Sequence, residues 1–235
     1  MSTATTPTLA AIIVAAGRGS RMGGILPKAF LPLGRDPLFL HALQTFARLP
    51  QTRQLLLVVA RDFLDDAHFL VAAGPHPTRN TEIVVGGAER QDSVAAALAH
   101  VGDADLVAVH DAARPFVRSE TIHACAAAAA ETGAAIVALP ARDTIKIADA
   151  AGCIAATPDR RTIWQAQTPQ IFRRDLLRQA YARAQADGLL GTDDASLVER
   201  LGARVRLVEG DPTNRKLTTP DDMRWAEWWL TARPS

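Results

Sequence analysis

The residues Leu9-Ala-Ala-Ile-Ile-Val-Ala-Ala16 form an apolar run without polar alternation, and the run stops at Gly17. A strand with one wet face alternates apolar and polar residues. A run apolar on both sides of the pleat marks a strand covered on both faces, as in a parallel sheet flanked by helices. Runs of the same kind recur at Leu55–Ala60, Leu106–His110 and Ala134–Leu139, with shorter ones at Glu82–Val85 and Val205–Val208. Between them, Leu38–Leu49 reads as a helix capped by Asp36 with Pro37 at its first position. Arg90–Val101 and Ser119–Glu131 also read as helices, the second opening on a serine cap and continuing through alanines. Later helices are expected at Arg173–Gln185, at Asp193–Leu201 behind a Thr192 or Asp193 cap, and at Pro220–Ala232 behind Thr219. Strand alternating with helix predicts an α/β fold, a doubly wound domain with a mostly parallel sheet. A chain of 235 residues suits one such domain over 1–235.

The rhythm breaks at Pro140. Through Arg161 the chain alternates briefly at Thr144–Ile147, turns near Asp149–Gly152 and returns at Cys153–Thr157, which predicts a β-hairpin arm over 140–161. An isolated two-stranded hairpin is marginal in water, so the arm should lean on something, and a second copy of the chain is a candidate. Residues 1–8 read as a loose tail with no basic segment of a signal peptide. Cys125 and Cys153 lie far apart without metal-ligand spacing, as expected of reduced thiols in a cytoplasmic protein. No apolar run approaches the length of a membrane helix, and a net charge of +1 makes no demand for nucleic acid or an anionic membrane.

Three segments carry candidate chemistry. Ala15-Ala-Gly-Arg-Gly-Ser-Arg-Met22, followed by Pro27-Lys28, leaves the first strand where open α/β sheets bind ligands. Glycines allow close backbone approach to an anion, and Arg18, Arg21 and Lys28 add charge suited to a triphosphate. The loop lacks both the Gly-Lys-Ser/Thr of a Walker A loop and the third glycine of a dinucleotide fingerprint. Gly86-Gly-Ala-Glu-Arg-Gln-Asp-Ser-Val94 again permits close approach, with Ser93 placed either to bind a base or to cap the next helix. Val109-His-Asp-Ala-Ala-Arg-Pro115 sets Asp111 just past a buried strand, where a carboxylate can hold Mg²⁺ or substrate hydroxyls. Its structural alternative is an Asp111–Arg114 salt bridge that shapes the loop.

Together with Val137–Thr144, Trp164–Gln170, Thr192–Ser196 and Asn214–Lys216, these segments resemble the 2-C-methyl-D-erythritol 4-phosphate cytidylyltransferases of the non-mevalonate route to isoprenoids, in order from Ala10 to Trp229. The resemblance implies a Rossmann-like nucleotidyltransferase fold, a homodimer joined through the arm, and Mg²⁺ as cofactor. It implies Arg21, Lys28 and Lys216 as catalytic, and Ala15, Ala16, Gly17, Arg18, Gly19, Gly87 and Ser93 around CTP. Asp111, Arg114, Thr144, Arg160, Thr168 and Thr192 would meet methylerythritol phosphate, with Asp111 also the metal ligand. Thr144 and Arg160 would complete the partner's site, and Thr168, Thr192 and Lys216 would line the acceptor phosphate pocket.

The residue types fit that chemistry. A phosphate monoester is already a competent nucleophile, so the protein needs positioning and charge stabilisation rather than a Ser/His/Asp relay. Three departures from the family pattern stand out: Ala88 in place of a common aspartate, Thr213 and Arg215 beside Lys216, and the apolar Gly23–Leu26. Ribitol 5-phosphate is the alternative acceptor. A nicotinamide-binding oxidoreductase or an inactive binding protein are readings from other classes, opposed by the missing glycine and by the presence of Arg21, Lys28, Asp111 and Lys216.

Overall fold

The computed structural model describes residues 6–17, 26–74 and 81–232. Its centre is a seven-stranded sheet in the order β11-β7-β10-β6-β1-β4-β5. The strands are β1 (Leu9–Val14), β4 (Thr52–Val59), β5 (Thr81–Val85), β6 (Leu106–Asp111), β7 (Ala134–Pro140), β10 (Trp164–Arg173) and β11 (Arg206–Glu209). All run parallel except β10, which lies antiparallel between β6 and β7. Two short ladders stand outside the sheet: β2 (Pro32–Leu33) with β3 (Asp36–Pro37), and β8 (Ile147–Ala148) with β9 (Ile154–Ala156).

The unalternating runs are explained by the two cores. In β1, Leu9, Ala11 and Ile13 face one layer while Ala10 and Ile12 face the other, and all five are fully buried. The first layer holds α1 (Leu38–Ala47), α2 (Leu64–Ala73) and α4 (Ser119–Thr132); the second holds α3 (Arg90–His100), α5 (Arg174–Ala186) and α6 (Asp194–Glu199). Side chains alternate across a strand, so covering both faces requires apolar residues at every position. The last helix, α7 (Pro220–Ala232), packs Ala226 with Leu33, Leu38, Phe116 and Leu217 in a third, smaller cluster.

All six expected strands are present. β10 was not expected, because Gln165, Gln167, Pro169 and Gln170 give it no apolar signature. The helix α2 was not expected either; only Ala67 of it is buried. Two caps differ from expectation. Pro37 rather than Asp36 stands at the α1 cap, where the Leu38 N–H donates to the Leu31 carbonyl. Arg118 rather than Ser119 holds the α4 cap, and α4 closes on Gly133 at φ 92°, a left-handed position that suits glycine. Asp193 caps α6 by accepting from Ser196 N–H, and Thr219 caps α7 by accepting from Asp222 N–H. Thr8, read as part of the loose tail, is pinned by two bonds to the Asp105 carboxylate.

The arm is the tip of the antiparallel β7–β10 pair, closed at its base by Ala141 N–H to the Ile163 carbonyl. Its own ladder is shorter than the alternation suggested, and Ile147 and Ile154 are exposed on it. No helix among the described residues is long and apolar enough to cross a membrane.

Candidate active site

In the sheet register Val14 lies beside Val58 on one side and Asp111 on the other, and Val59 lies beside Val85. Four parallel strands therefore end along one edge, and the loops leaving them open onto a common cleft of about 760 Å³. Ala15, Ala16 and Gly17 line it from the end of β1, Gly87 from the loop before α3, Ser93 from α3 itself, Asp111 from β6, and Lys28 and Lys216 from more distant segments. Five of the residues expected around CTP and two of the three expected catalytic cations thus share one cleft. Arg18, Gly19 and Arg21, and the apolar Gly23–Ile25, lie outside the described residues.

Lys28 opens a 3-10 turn over Lys28–Phe30, with Phe30 buried against Phe39 and Phe63. The 86–89 loop is set by its own packing. A Cβ at Gly87 would stand 2.3 Å from the Asp92 Cβ, and one at Gly86 would stand 2.7 Å from Ser93 Oγ. Ser93 is not the α3 cap, a position Glu89 holds. Its buried hydroxyl accepts from Gly87 N–H at 3.2 Å and donates to the Glu89 carbonyl at 3.0 Å, so it fastens the loop that lines the cleft.

Asp111 is the most heavily charge-coupled group at the site. Arg90 Nε donates to its Oδ1 at 3.2 Å, and Lys216 Nζ stands 2.8 Å from its Oδ2. Burial alone would raise the pKa of this carboxyl, but Arg90, Lys216 and Arg114 outweigh burial and hold it far below the usual carboxylate range. Arg90 in turn sends both terminal nitrogens to the fully buried Asp194, at 3.1 and 2.8 Å, and Tyr181 donates its hydroxyl to the same carboxylate. Burial disfavours the Arg90 charge, and the Asp194 and Asp111 carboxylates more than offset that, leaving its pKa raised.

The backbone of Asp111 is held separately. His110 Nε2 lies 3.0 Å from the Arg114 carbonyl, which can only accept, so that nitrogen carries the proton. His110 Nδ1 must then accept from the Thr168 hydroxyl at 3.1 Å, and Thr168 Oγ1 accepts from Asp111 N–H at 3.0 Å. Burial pushes the His110 pKa down to about 4, so the ring is neutral near pH 7. Thr168, expected in the acceptor pocket, is buried with its proton committed to His110.

Lys216 arrives on a segment that the unexpected residues stabilise. Asp211 Oδ1 accepts from both the N–H and the hydroxyl of Thr213, while Asn214 Nδ2 donates to the Thr168 carbonyl and to Gln167 Oε1. Arg215 pairs with Asp222 and lies over the Trp225 ring at 4.9 Å. The segment is thereby tied to β10 on one side and to α7 on the other.

The remaining expected residues do not line this cleft. Arg114 is buried, and its guanidinium donates to the Asn214 carbonyl at 2.8 Å; the carboxylate it was set against in the sequence pairs with Arg90 and Lys216 instead. Thr192 lines a neighbouring hollow of about 210 Å³ shared with Arg90 and Tyr181. Thr144 and Arg160 are exposed on the arm, where Arg160 donates to the Arg142 carbonyl. Sequence reasoning gave no role to Arg90, Asp194, Tyr181 or the cleft-lining Arg61. Arg90 and Asp194 are 104 residues apart, and nothing local announces their pairing.

A sheet-edge cleft with glycine loops on one wall and lysines converging from separate segments defines a nucleotide-binding α/β protein of the phosphoryl-transfer kind. The profile of the 2-C-methyl-D-erythritol 4-phosphate cytidylyltransferases matches residues 9–232. The relative of that description from Symbiobacterium thermophilum is 48% identical over 220 residues, 93% of this chain and 91% of its own. The one from Geobacter metallireducens is 43% identical over 224 residues, 94% of this chain and 96% of its own. The crystal structure of the 4-diphosphocytidyl-2C-methyl-D-erythritol synthase from Anaerococcus prevotii superposes with a TM-score of 0.84 at 28% identity, covering 96% of this chain and 99% of that one. That of the Thermus thermophilus cytidylyltransferase gives 0.76 at 34% identity, over 94% and 98%. The chain belongs to the 2-C-methyl-D-erythritol 4-phosphate cytidylyltransferase family.

Proposed function

We propose that this chain transfers CMP from CTP to 2-C-methyl-D-erythritol 4-phosphate, giving 4-diphosphocytidyl-2-C-methyl-D-erythritol and pyrophosphate, as one cytoplasmic domain working in a homodimer. The observation that carries the reading is the convergence of Lys28, Lys216 and Asp111 on the cleft walled by the 15–17 and 86–89 loops. An oxygen of the acceptor phosphate attacks the α-phosphorus of CTP, one P–O bond forms, and the bond to the β-phosphate oxygen breaks as pyrophosphate leaves. Lys28 and Lys216, with Arg21 by family resemblance, hold the phosphates together and offset the charge that gathers on the α-phosphoryl oxygens. Cations held by separate segments would also orient donor and acceptor, adding positioning to charge stabilisation.

Mg²⁺ remains the expected cofactor, and when bound it would neutralise charge on the triphosphate. Asp111, its expected ligand, has a cation on each oxygen, and the described residues contain no group of three His, Cys, Asp or Glu able to hold a metal. They do not fit a ready-made metal site, so the ion would arrive on the nucleotide.

The homodimer reading rests on the arm. Thr144, Arg160, Ile147 and Ile154 are exposed on it, away from the cleft of their own chain. Facing a second copy, they would reach that copy's acceptor. The test is pyrophosphate release from CTP and Mg²⁺ with methylerythritol 4-phosphate and ribitol 5-phosphate offered separately. Release with methylerythritol phosphate alone is expected. Release with ribitol phosphate alone would overturn the acceptor, and silence with both in a protein that binds CTP would overturn the reaction.

A further inference from the structure

The mechanism leaves unused a fully buried carboxylate, Asp194, that takes both terminal nitrogens of Arg90 and the hydroxyl of Tyr181. A charge this deep is expensive unless paired, and partners that merely neutralised it would not need to reach the cleft. Arg90 does reach the cleft. Its fork is spent on Asp194, leaving only the Nε edge for Asp111 Oδ1, while Lys216 takes Oδ2. A carboxylate offers about four lone-pair directions, so this arrangement leaves Asp111 two of them for hydroxyls of a bound polyol.

We propose that Asp194, steadied by Tyr181, is a positioning residue that aims Asp111 at the acceptor by holding the Arg90 fork turned away from it. Asp194 is itself immobilised. It is the first residue of α6, whose cap Asp193 accepts from Gln170 Nε2 at 2.8 Å, and the next residue, Ala195, donates its N–H to Gln170 Oε1 at 3.0 Å. Gln170 lies beside Val109 in the β10–β6 register, so the anchor of Asp194 and the strand bearing Asp111 are hydrogen-bonded neighbours in one sheet. Without the Asp194 charge, the guanidinium can rotate and present its fork to Asp111. A bidentate grip would occupy a further lone pair, compete with Lys216 and turn the carboxylate from the acceptor hydroxyls. Tyr181, from α5, sets the rotamer of Asp194 and touches neither Asp111 nor Arg90 by a hydrogen bond.

The inference rests on the reading of Asp111 as an acceptor-binding group, and one set of variants separates the two. Asp111→Asn, Asp194→Asn and Tyr181→Phe are compared in the full-length protein by steady-state kinetics against CTP and methylerythritol phosphate. Circular dichroism and gel filtration confirm folding. Asp194→Asn should raise the acceptor KM about tenfold, as expected for a lost charge-assisted hydrogen bond, and Tyr181→Phe about threefold, less because Asp194 then keeps its charge and both bonds to Arg90. The CTP KM should stay within about twofold, and neither change should add to Asp111→Asn in the double variant, because the effect passes through Asp111. Parallel rises in both KM values, or effects that multiply with Asp111→Asn, would overturn the positioning role. If Asp111→Asn alone leaves the acceptor KM unchanged, the reading of Asp111 itself fails. Should Asp194→Asn not fold, Tyr181→Phe carries the same comparison.

Discussion

The cleft and the arm are built in opposite ways. Around the cleft, three of the described loops are cross-tied: Ser93 fastens 86–89, Thr168 and His110 fasten 111–114, and Asn214 and Arg215 fasten 211–217. The ties join the loops to helices and strands of the main fold, and the 111–114 loop leaves β6, which is buried on both faces. The arm has two strands of two and three residues, exposed throughout, and its cross-links are local, such as Lys146 Nζ to Thr157 Oγ1. The difference teaches where precision comes from. A site for phosphoryl transfer needs cations fixed to within fractions of an ångström, and the protomer supplies that rigidity to the cleft alone. The arm must obtain its rigidity elsewhere, and a second copy is the source we propose.

The largest effect should come from the rigid side. Lys28→Ala removes a cation from the proposed phosphate site without touching the core, since Ala29 and Phe30 anchor its turn. Turnover should fall about 10²–10³-fold, the loss typical of one preorganised charge, with unfolding unchanged. Pyrophosphate release measures it, and near-wild-type turnover would remove Lys28 from the mechanism.

The second effect separates the two regions by pH. His110 sits neutral and fully buried beside Asp111, with its pKa pushed down to about 4 from an ordinary 6.5. Between these values the unfolded chain binds a proton that the folded protein refuses, so stability present above pH 6.5 is lost as the pH falls toward 4. The loss should total about 3 kcal/mol. Below that range the depressed Asp111 and Asp222 carboxyls add further losses as they protonate. Urea unfolding across this range, for wild type and His110→Gln, checks the source. The slope should shrink in the variant, and an unchanged slope would place the sensitivity elsewhere.

How much of this was legible in the sequence follows the same division. Strands covered on both faces announce themselves, as β1 and β6 do, and the six apolar runs are all strands in the sheet, including the more exposed β5 and β11. β10 was hidden because its polar residues serve the site: Gln170 bonds both Asp193 and Ala195, and Gln167 bonds Asn214. Apolar periodicity cannot find a strand whose side chains are hydrogen-bonding parts. Short motifs singled out Lys28, Asp111 and Lys216, which the structure brings to one cleft. The Arg90–Asp194–Tyr181 network was not, because its members come from three different helices and only tertiary structure joins them. The odd residues Thr213 and Arg215 left the frame of Lys216 open in sequence, and the structure explains both as ties.

The third effect tests whether the arm completes another chain's site. Arg160→Ala should raise the acceptor KM about tenfold, the value of a charge-assisted bond, and leave CTP binding alone. Mixed in equal amounts with Lys28→Ala under conditions that exchange subunits, it should regain activity. Each hybrid has one site with an intact Lys28 and an intact arm, so roughly a quarter of all sites are restored in a two-fold dimer. A mixture no better than its parts would confine each arm to its own chain.

The last effect should fall on association alone. Ile154 is 65% exposed and Ile147 51% exposed, so within the protomer neither contributes much burial. Replacing Ile154 with Ser should then cost the isolated protomer less than about 0.5 kcal/mol, as for most surface changes. If the arm packs on a second copy, the same replacement forfeits apolar burial there of about 1.5–3 kcal/mol, roughly a tenfold or greater weakening of the dimer. Sedimentation across a dilution series reads the association, and unfolding of the dilute protein reads the protomer. Weakened association with an unchanged protomer is the expected pair of results. An equal loss of protomer stability, with association untouched, would mean that the arm packs against its own chain and that the contrast between cleft and arm is one of exposure only.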